Sequence, residues 1–296
     1  MPNKDLKYVL LTAARNEEAG IENTIKSVVA QTVLPTRWMI VSDGSTDQTD
    51  NIVKKYAAQY DWIQLLRMPE HRDYQFAAKV RCIENGWSQV RSLPFDAVGN
   101  LDADVTFEAD YVAFLLEKLD GDPRLGVVGT RFIENSQQVY DYKYMNESHV
   151  TGCFQLFRRS CFEAIGGYLP LRGGGEDWAA VATARMKGWR TQCYTEKLFV
   201  HHRRMGSRIQ SEWMIHFRKG QRDYATGGHP LWQLFRSVFQ ASRKPYLICG
   251  LGLLLGFAWD FVRRAERPVP RDLMTFHRAE QMARLRRLLP FRSKSA

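Results

Sequence analysis

The chain has 296 residues, 45% apolar and 25% charged, an ordinary globular composition with room for one large domain or two modest ones. Five scattered cysteines, odd in number and never spaced Cys-x-x-Cys, argue against a zinc knuckle or a disulfide framework and for reduced thiols in a cytosolic compartment. The net charge of +10 is uneven: from Arg203 to Ala296 there are 19 Lys/Arg against 6 Asp/Glu, a net +13, so residues 1–202 carry −3. That balance argues against a whole-chain nucleic-acid binder and suggests a basic tail meeting an anionic surface such as a membrane.

The N-terminus, Met1 to Lys7, runs straight into apolar sequence without the longer apolar core of a signal peptide. Tyr8-Val9-Leu10-Leu11 reads as a buried strand, and Ile21, Ile25, Val28 and Val29 follow at helical spacing. Trp38 to Val41 is a second strand, and Ile52, Val53, Tyr56 and Tyr60 mark a second helix capped by Asp47 or Thr49. Trp62 to Leu66 is a third strand, Phe76, Val80, Ile83 and Trp87 a third helix, and Ala97 to Leu101 a fourth strand. Strands alternating with helices predict an α/β fold, a mostly parallel sheet flanked by helices, with ligands at the strand C-terminal ends.

The polar loops of this half all fall at such ends. Arg15-Asn16-Glu17-Glu18 follows the first strand, Asp43-Gly44-Ser45-Thr46-Asp47 the second, and Asp102-Ala103-Asp104 the fourth. One such loop is usually a turn, but three on one edge of one sheet point to a site. Two carboxylates one residue apart at a strand end suit a hard cation and the phosphates it neutralises.

Beyond Asp104, Glu108 to Leu119 reads as a helix stopped by Asp120-Gly121-Asp122-Pro123. Val127-Val128-Gly129 and Gly152 to Phe157 read as strands. Gly173-Gly174-Gly175-Glu176-Asp177-Trp178 opens a helix from Ala179 to Lys187, and Lys197 to Val200 precedes His201-His202. In the tail, residues 246–259 form an uncharged run of 14, shorter than the roughly 20 a simple span needs. It is either a buried helix or a segment lying in a membrane interface. Its three glycines and the cations around it (Arg243, Lys244, Arg263, Arg264, Arg267) favour the membrane. A basic helix from Phe276 to Leu289 closes the chain.

With these loops in order, the chain resembles the family 2 glycosyltransferases of the GT-A (Rossmann-like) fold over roughly residues 7 to 202. The residues that carry the likeness are Asn16-Glu17-Glu18, Ser27 with Gln31-Thr32, Asp43 to Asp47, Asp102-Ala103-Asp104, Gly166-Gly167-Tyr168 and Glu176-Asp177. Many members carry a second acid before the Asp43 loop, where this chain has Ser42. The tail is similar to members that build bacterial exopolysaccharides or other cell-surface glycans. The resemblance implies a catalytic domain over 1–205 and a basic helical, membrane-associated region over 206–296. It implies inverting, metal-dependent transfer from a nucleotide-diphosphate sugar to a glycan or lipid-linked acceptor at the inner face of the cytoplasmic membrane, with no nucleic-acid partner.

The same resemblance implies roles. Asp104 would hold Mn2+ or Mg2+, with Asp102 on metal or ribose and His201 or His202 completing the shell. Asp43 would bind base or ribose, with Arg15 and Glu17 lining that pocket, and Lys79 would approach the diphosphate. Asp177 would be the general base, with Glu176 beside it in the catalytic pair, on a loop made mobile by its glycines. A base must reach the acceptor hydroxyl, and a cation must offset the leaving charge. Sugar and acceptor identity stay open, and single addition is expected over polymerisation. Two rivals exist. Asp102-Ala103-Asp104-Val105-Thr106 also fits the signature of haloacid-dehalogenase-like phosphatases, with Asp102 as nucleophile. A non-catalytic, membrane-tethered binding protein is the other.

Overall fold

The computed structural model describes residues 6–70, 76–134, 138–139, 147–171, 174–203, 211–242 and 246–288. The chain divides into two compact units, one of residues 1–172 and 176–204, the other of residues 173–175 and 205–296.

The first unit is built on a nine-stranded sheet in the order β3-β2-β1-β4-β8-β6-β9-β5, with β7 on β6. The strands are β1 (Tyr8–Ala14), β2 (Arg37–Ser42), β3 (Ile63–Arg67), β4 (Ala97–Leu101), β5 (Val105–Phe107), β6 (Leu125–Glu134), β7 (Gln138–Val139), β8 (Phe154–Arg158) and β9 (Arg190–His201). The sheet is mixed. Its first half, β3-β2-β1-β4, is parallel throughout. Then β8 enters antiparallel to both β4 and β6, and β9 runs parallel to β6 and antiparallel to β5.

Helices cover both faces, which is why β1 is apolar at every position from Tyr8 to Leu11. Tyr8 and Leu10 join Trp38, Ile40 and Leu101 under α1 (Ile21–Val29), α2 (Thr49–Ala57) and α4 (Tyr111–Gly121). Val9 and Leu11 join Met39 and Val98 under α3 (Phe76–Val90), α5 (Arg159–Ile165) and α6 (Glu176–Met186). The first strand runs three residues past Leu11 because buried Thr12 finds a partner: its Oγ1 accepts the Trp38 indole N–H at 2.9 Å. The N-cap position of α2 falls on Gln48 rather than Asp47 or Thr49 and makes no side-chain cap bond; Asp47, one residue earlier, accepts the Thr49 N–H on Oδ1 at 3.0 Å. β9 is three times longer than Lys197 to Val200. Its pairing with β6 jumps from Tyr194 to Leu198, so Thr195-Glu196-Lys197 bulge out and break the alternation a strand should show.

The second unit holds α7 (Glu212–Ala225), α8 (Pro230–Ala241), α9 (Ile248–Val262) and α10 (Arg271–Leu288). The apolar run therefore forms a helix that extends past residue 259 through Asp260, a buried carboxylate held by Gln221 Nε2 at 3.0 Å and Arg263 Nε at 2.9 Å. The glycines of α9 serve helix packing: a Cβ on Gly256 would lie 1.9 Å from the Phe217 carbonyl oxygen, and one on Gly220 2.1 Å from that of Leu253. Two backbones meet there, and only hydrogen side chains fit. Among the described residues, no helix is long and apolar enough to cross a membrane.

Candidate active site

Because β2, β1 and β4 are parallel neighbours, the loops that follow them leave the sheet on the same edge. The first two are laced together. Asn16, at φ 55°, accepts the Thr46 N–H on Oδ1 at 2.9 Å; asparagine tolerates that left-handed backbone better than most residues. The Glu17 N–H donates to Thr49 Oγ1 at 2.8 Å, and the Glu18 N–H to Asp47 Oδ2 at 3.0 Å. Asp43 is buried, its N–H bonded to the Ala14 carbonyl at 2.8 Å and its carboxylate 3.5 Å from Arg15 Nη1. Ser42, where family members often carry an acid, is fully buried and donates to Ser45 Oγ at 3.0 Å. It shapes the turn from within.

The Asp102-Ala103-Asp104 loop links β4 to β5 and draws cationic groups from three directions. Lys79 of α3 places Nζ 2.5 Å from Asp102 Oδ1. Val105 pairs with His201 across β5 and β9, which brings His201 Nε2 to 3.4 Å from Asp104 Oδ1. Arg203 Nε lies 3.6 Å from Asp104 Oδ2, and the same guanidinium makes a two-pronged pair with Glu17. Thus Arg15 and Glu17 part company: Arg15 goes with Asp43, and Glu17 with Arg203 beside the acid loop.

These contacts set opposite protonation tendencies in the two aspartates. Burial pushes Asp102 above the usual carboxylate range, the Lys79 charge only partly offsetting it. Burial also acts on Asp104, but the His201 hydrogen bond and charge, with Arg203, outweigh it and hold this carboxyl below its usual value. Burial raises Glu17 despite Arg203. For His201 burial alone would lower the imidazole pKa; the hydrogen bond and charge of Asp104 win and raise it. Lys79 is driven up by Asp102 and Glu176 against its own burial.

The structure separates the two histidines. His201 is 7% exposed and keeps its Nδ1 buried without a hydrogen-bond partner. The ring of His202 turns the other way and meets Thr106 Oγ1 at 2.7 Å; only its backbone N–H reaches the acid loop, at the Asp104 carbonyl. A residue without a spacing signal also arrives here. β8 pairs antiparallel with β4, Leu101 opposite Phe154, so the Asp102 N–H donates to the Cys153 carbonyl at 2.9 Å. Ligand atoms of Asp102, Cys153 and His201 all lie within 4.8 Å of one another. Two carboxylates, a buried imidazole with an orphaned nitrogen and low exposure fit a divalent cation.

The second acidic pair opens α6. Asp177 accepts the Gly152 N–H on Oδ2 at 3.1 Å, and a Cβ on Gly152 would lie 2.7 Å from both Asp177 Cβ and Oδ2. Glycine at 152 is therefore what lets Asp177 lie against this backbone. Glu176 is buried with Oε2 unpartnered, and burial together with the Asp177 charge raises its pKa. Lys79, Asn100, Tyr168, Glu176 and Asp177 line one small cleft, so Lys79 borders both acidic pairs. Gly174 and Gly175 take φ 79° and 100°; Gly173 lies outside the described residues.

Fold and acid-lined edge together define the class: the GT-A fold of the glycosyltransferases. The profile of Glycosyl transferase family 2 matches residues 10–151. The poly-beta-1,6-N-acetyl-D-glucosamine synthase of Staphylococcus aureus (strain COL) is 25% identical over 272 residues, 85% of this chain and 62% of the synthase. The Staphylococcus epidermidis synthase of that name is 21% identical over the same shares. This chain thus spans about 62% of the length of those relatives. Among solved structures, the mannosyltransferase PcManGT from Pyrobaculum calidifontis, in complex with GDP-Man and Mn2+, has a TM-score of 0.59 at 18% identity, covering 99% of this chain and 84% of its own. TarS 1-349 of S. aureus, in complex with UDP-GlcNAc, gives 0.57 at 15% identity over 88% and 76%. The match to that family counts against the phosphatase reading of Asp102: the matched region includes the first three strand–helix units ahead of that aspartate, with Asp43 among them.

Proposed function

We propose that the chain transfers a glycosyl group, with inversion, from a nucleoside-diphosphate sugar to a hydroxyl of a glycan or lipid-linked acceptor, in assembly of an exopolysaccharide or other cell-surface glycan. The observation that carries this reading is the gathering of Asp43, the Asp102–Asp104 loop and His201 at one sheet edge, with Lys79 bordering both that loop and Asp177. The relatives support the substrate class, since they include a polysaccharide synthase and proteins solved with GDP-Man or UDP-GlcNAc.

Asp43, braced by Arg15, accepts hydrogen bonds from base or ribose. A Mn2+ or Mg2+ ion held by Asp104, Asp102 and His201 would supply positive charge against the departing diphosphate. Lys79 and Arg203 add fixed cations around the same acids. Asp177 takes the acceptor's hydroxyl proton. The freed oxygen bonds to the anomeric carbon as the opposite carbon–oxygen bond to phosphate breaks, the electron pair leaving with the diphosphate. Attack opposite the leaving group inverts the carbon. The Gly152 N–H orients Asp177, which is what a general base within reach of its proton requires.

The proposed workplace is the inner face of the cytoplasmic membrane. It is supported by rows of exposed apolar side chains on α8 (Leu231, Leu234, Val238) and α9 (Ile248, Leu251, Leu255, Trp259, Val262), at helical spacing and followed by exposed Arg263 and Arg264.

Release of UDP or GDP from UDP-GlcNAc and GDP-Man, with Mn2+ and hydroxyl acceptors, tests the reaction. Turnover of one donor that is lost in Asp177→Asn supports it. Tight nucleotide binding with no turnover of any donor would favour a non-catalytic binding protein.

A further inference from the structure

A carboxylate–imidazole site for Mg2+ or Mn2+ has no need of a thiol, yet two strand registers bring one in. The β4–β8 pairing sets Cys153 against Asp102, and the β5–β9 pairing sets His201 beside Asp104. A carboxylate oxygen of Asp102, the Cys153 sulfur and a ring nitrogen of His201 fall within 4.8 Å of one another. Cys153 is 5% exposed, and its sulfur has a long contact, 3.7 Å, with Thr151 Oγ1. His201 Nδ1 is buried without a hydrogen-bond partner, a polar atom the fold leaves for something else to satisfy.

One oxygen, one nitrogen and one sulfur around a point are the ligand set of a borderline-soft ion. Zinc in open sites takes three protein ligands of these types and keeps a further position free. Thiolate selects Zn2+ and Cd2+ over Mg2+ and Mn2+, and the divalent series favours cobalt and zinc over manganese for any mixed donor set. We propose that Asp102, Cys153 and His201 bind a thiophilic divalent cation of the Zn2+, Cd2+ or Co2+ type, and that such an ion competes with Mn2+ or Mg2+ for this pocket. On binding, the Cys153 S–H bond breaks, its proton passes to solvent and the sulfur bonds the ion; nothing is oxidised or reduced. Only the competition rests on the function proposed above, and cation binding through sulfur stands without it.

Co2+ reports its own ligands, so the test is optical titration of the whole chain with Co2+. The expected result is a near-ultraviolet thiolate-to-cobalt charge-transfer band that is absent in Cys153→Ser. Cys82, Cys161, Cys193 and Cys249 are buried, and they remain in the variant as an internal control. His201→Gln, which keeps all five thiols, should weaken the same band, so a folding defect in one variant does not decide the matter. Cd2+ affinity should fall in Cys153→Ser by at least the roughly 10–100-fold that even outer-shell changes cost a metal site, with a smaller change for Mn2+. A band missing from the wild type, or unaltered in Cys153→Ser, overturns the proposal. A Cys153-dependent band in a chain that shows no Mn2+-dependent nucleotide binding would sink the proposed function and leave this site intact.

Discussion

Among the described residues, the Asp177 carboxylate accepts one backbone N–H, that of Gly152, which has no space for even a methyl group. Asp177→Asn should remove about 10²–10⁴-fold from turnover while nucleotide binding persists. Gly152→Ala should push Asp177 off its place and, at a displacement near 1 Å, cost about 100-fold in kcat with little change in donor affinity. Equal loss of binding in both variants would contradict a base role. The His201–Asp104 pair gives a signed pH dependence. The imidazole pKa is raised in the folded chain, so its stabilisation is full below the ordinary value of about 6.5 and is lost as pH rises through the raised value. Asp104, depressed, contributes above the ordinary carboxylate value and loses its share as pH falls. Metal needs the ring deprotonated, so Mn2+ affinity should rise over the window in which the metal-free pair weakens. Thermal melts with and without Mn2+ should therefore diverge with increasing pH, and parallel curves would count against His201 as a ligand. Asp43, Asp102 and Asp104 were legible because strand, loop and acid are contiguous in the chain. Cys153 and Arg203 were not, since only strand register across some fifty residues, or a chain return of 186, brings them in.

At the scale of elements, α9 was visible as an apolar run but not as what it packs against. Its glycines read as a weakness for a soluble helix; in the fold Gly252 and Gly256 permit the α7 backbone to approach, and Gly250 that of α8. Gly256→Val would place methyl groups where Phe217 already has its carbonyl, and should destabilise the second unit by about 1–3 kcal/mol or more, read by denaturant unfolding. The opposite surface of α9 makes the contrary demand. Leu255→Glu with Trp259→Glu touches exposed side chains, so the melting point should hold while sedimentation with anionic vesicles falls sharply. Unchanged sedimentation would remove the membrane role of this face. The α7 and α8 segments were expected only as part of a helical region over 206–296, although α8, with one charged residue in its twelve, carries an apolar row at helical spacing (Leu231, Leu234, Val238). β9 was seen only in its last turn of alternation, because the bulge at Thr195-Glu196-Lys197 exposes polar side chains midway.

For the whole molecule, the alternation of the first hundred residues was enough to predict an α/β sheet with its site at one edge, because parallel βα units leave few other arrangements. The antiparallel entry of β8 was not predictable that way, and it is what builds the far wall of the site by carrying Gly152 and Cys153 to the acids. On the proposed function, this edge holds a nucleoside diphosphate through a cation on Asp104. Thermal-shift measurement of the wild type and Asp104→Ala against UDP and GDP, each with and without Mn2+, tests it most directly. One nucleotide with Mn2+ should stabilise the wild type, by about 2.7 kcal/mol at a hundredfold excess over Kd, and the gain should vanish without Mn2+ or in Asp104→Ala. Stabilisation that is indifferent to Mn2+ and survives in Asp104→Ala, or no stabilisation by either nucleotide, would contradict it.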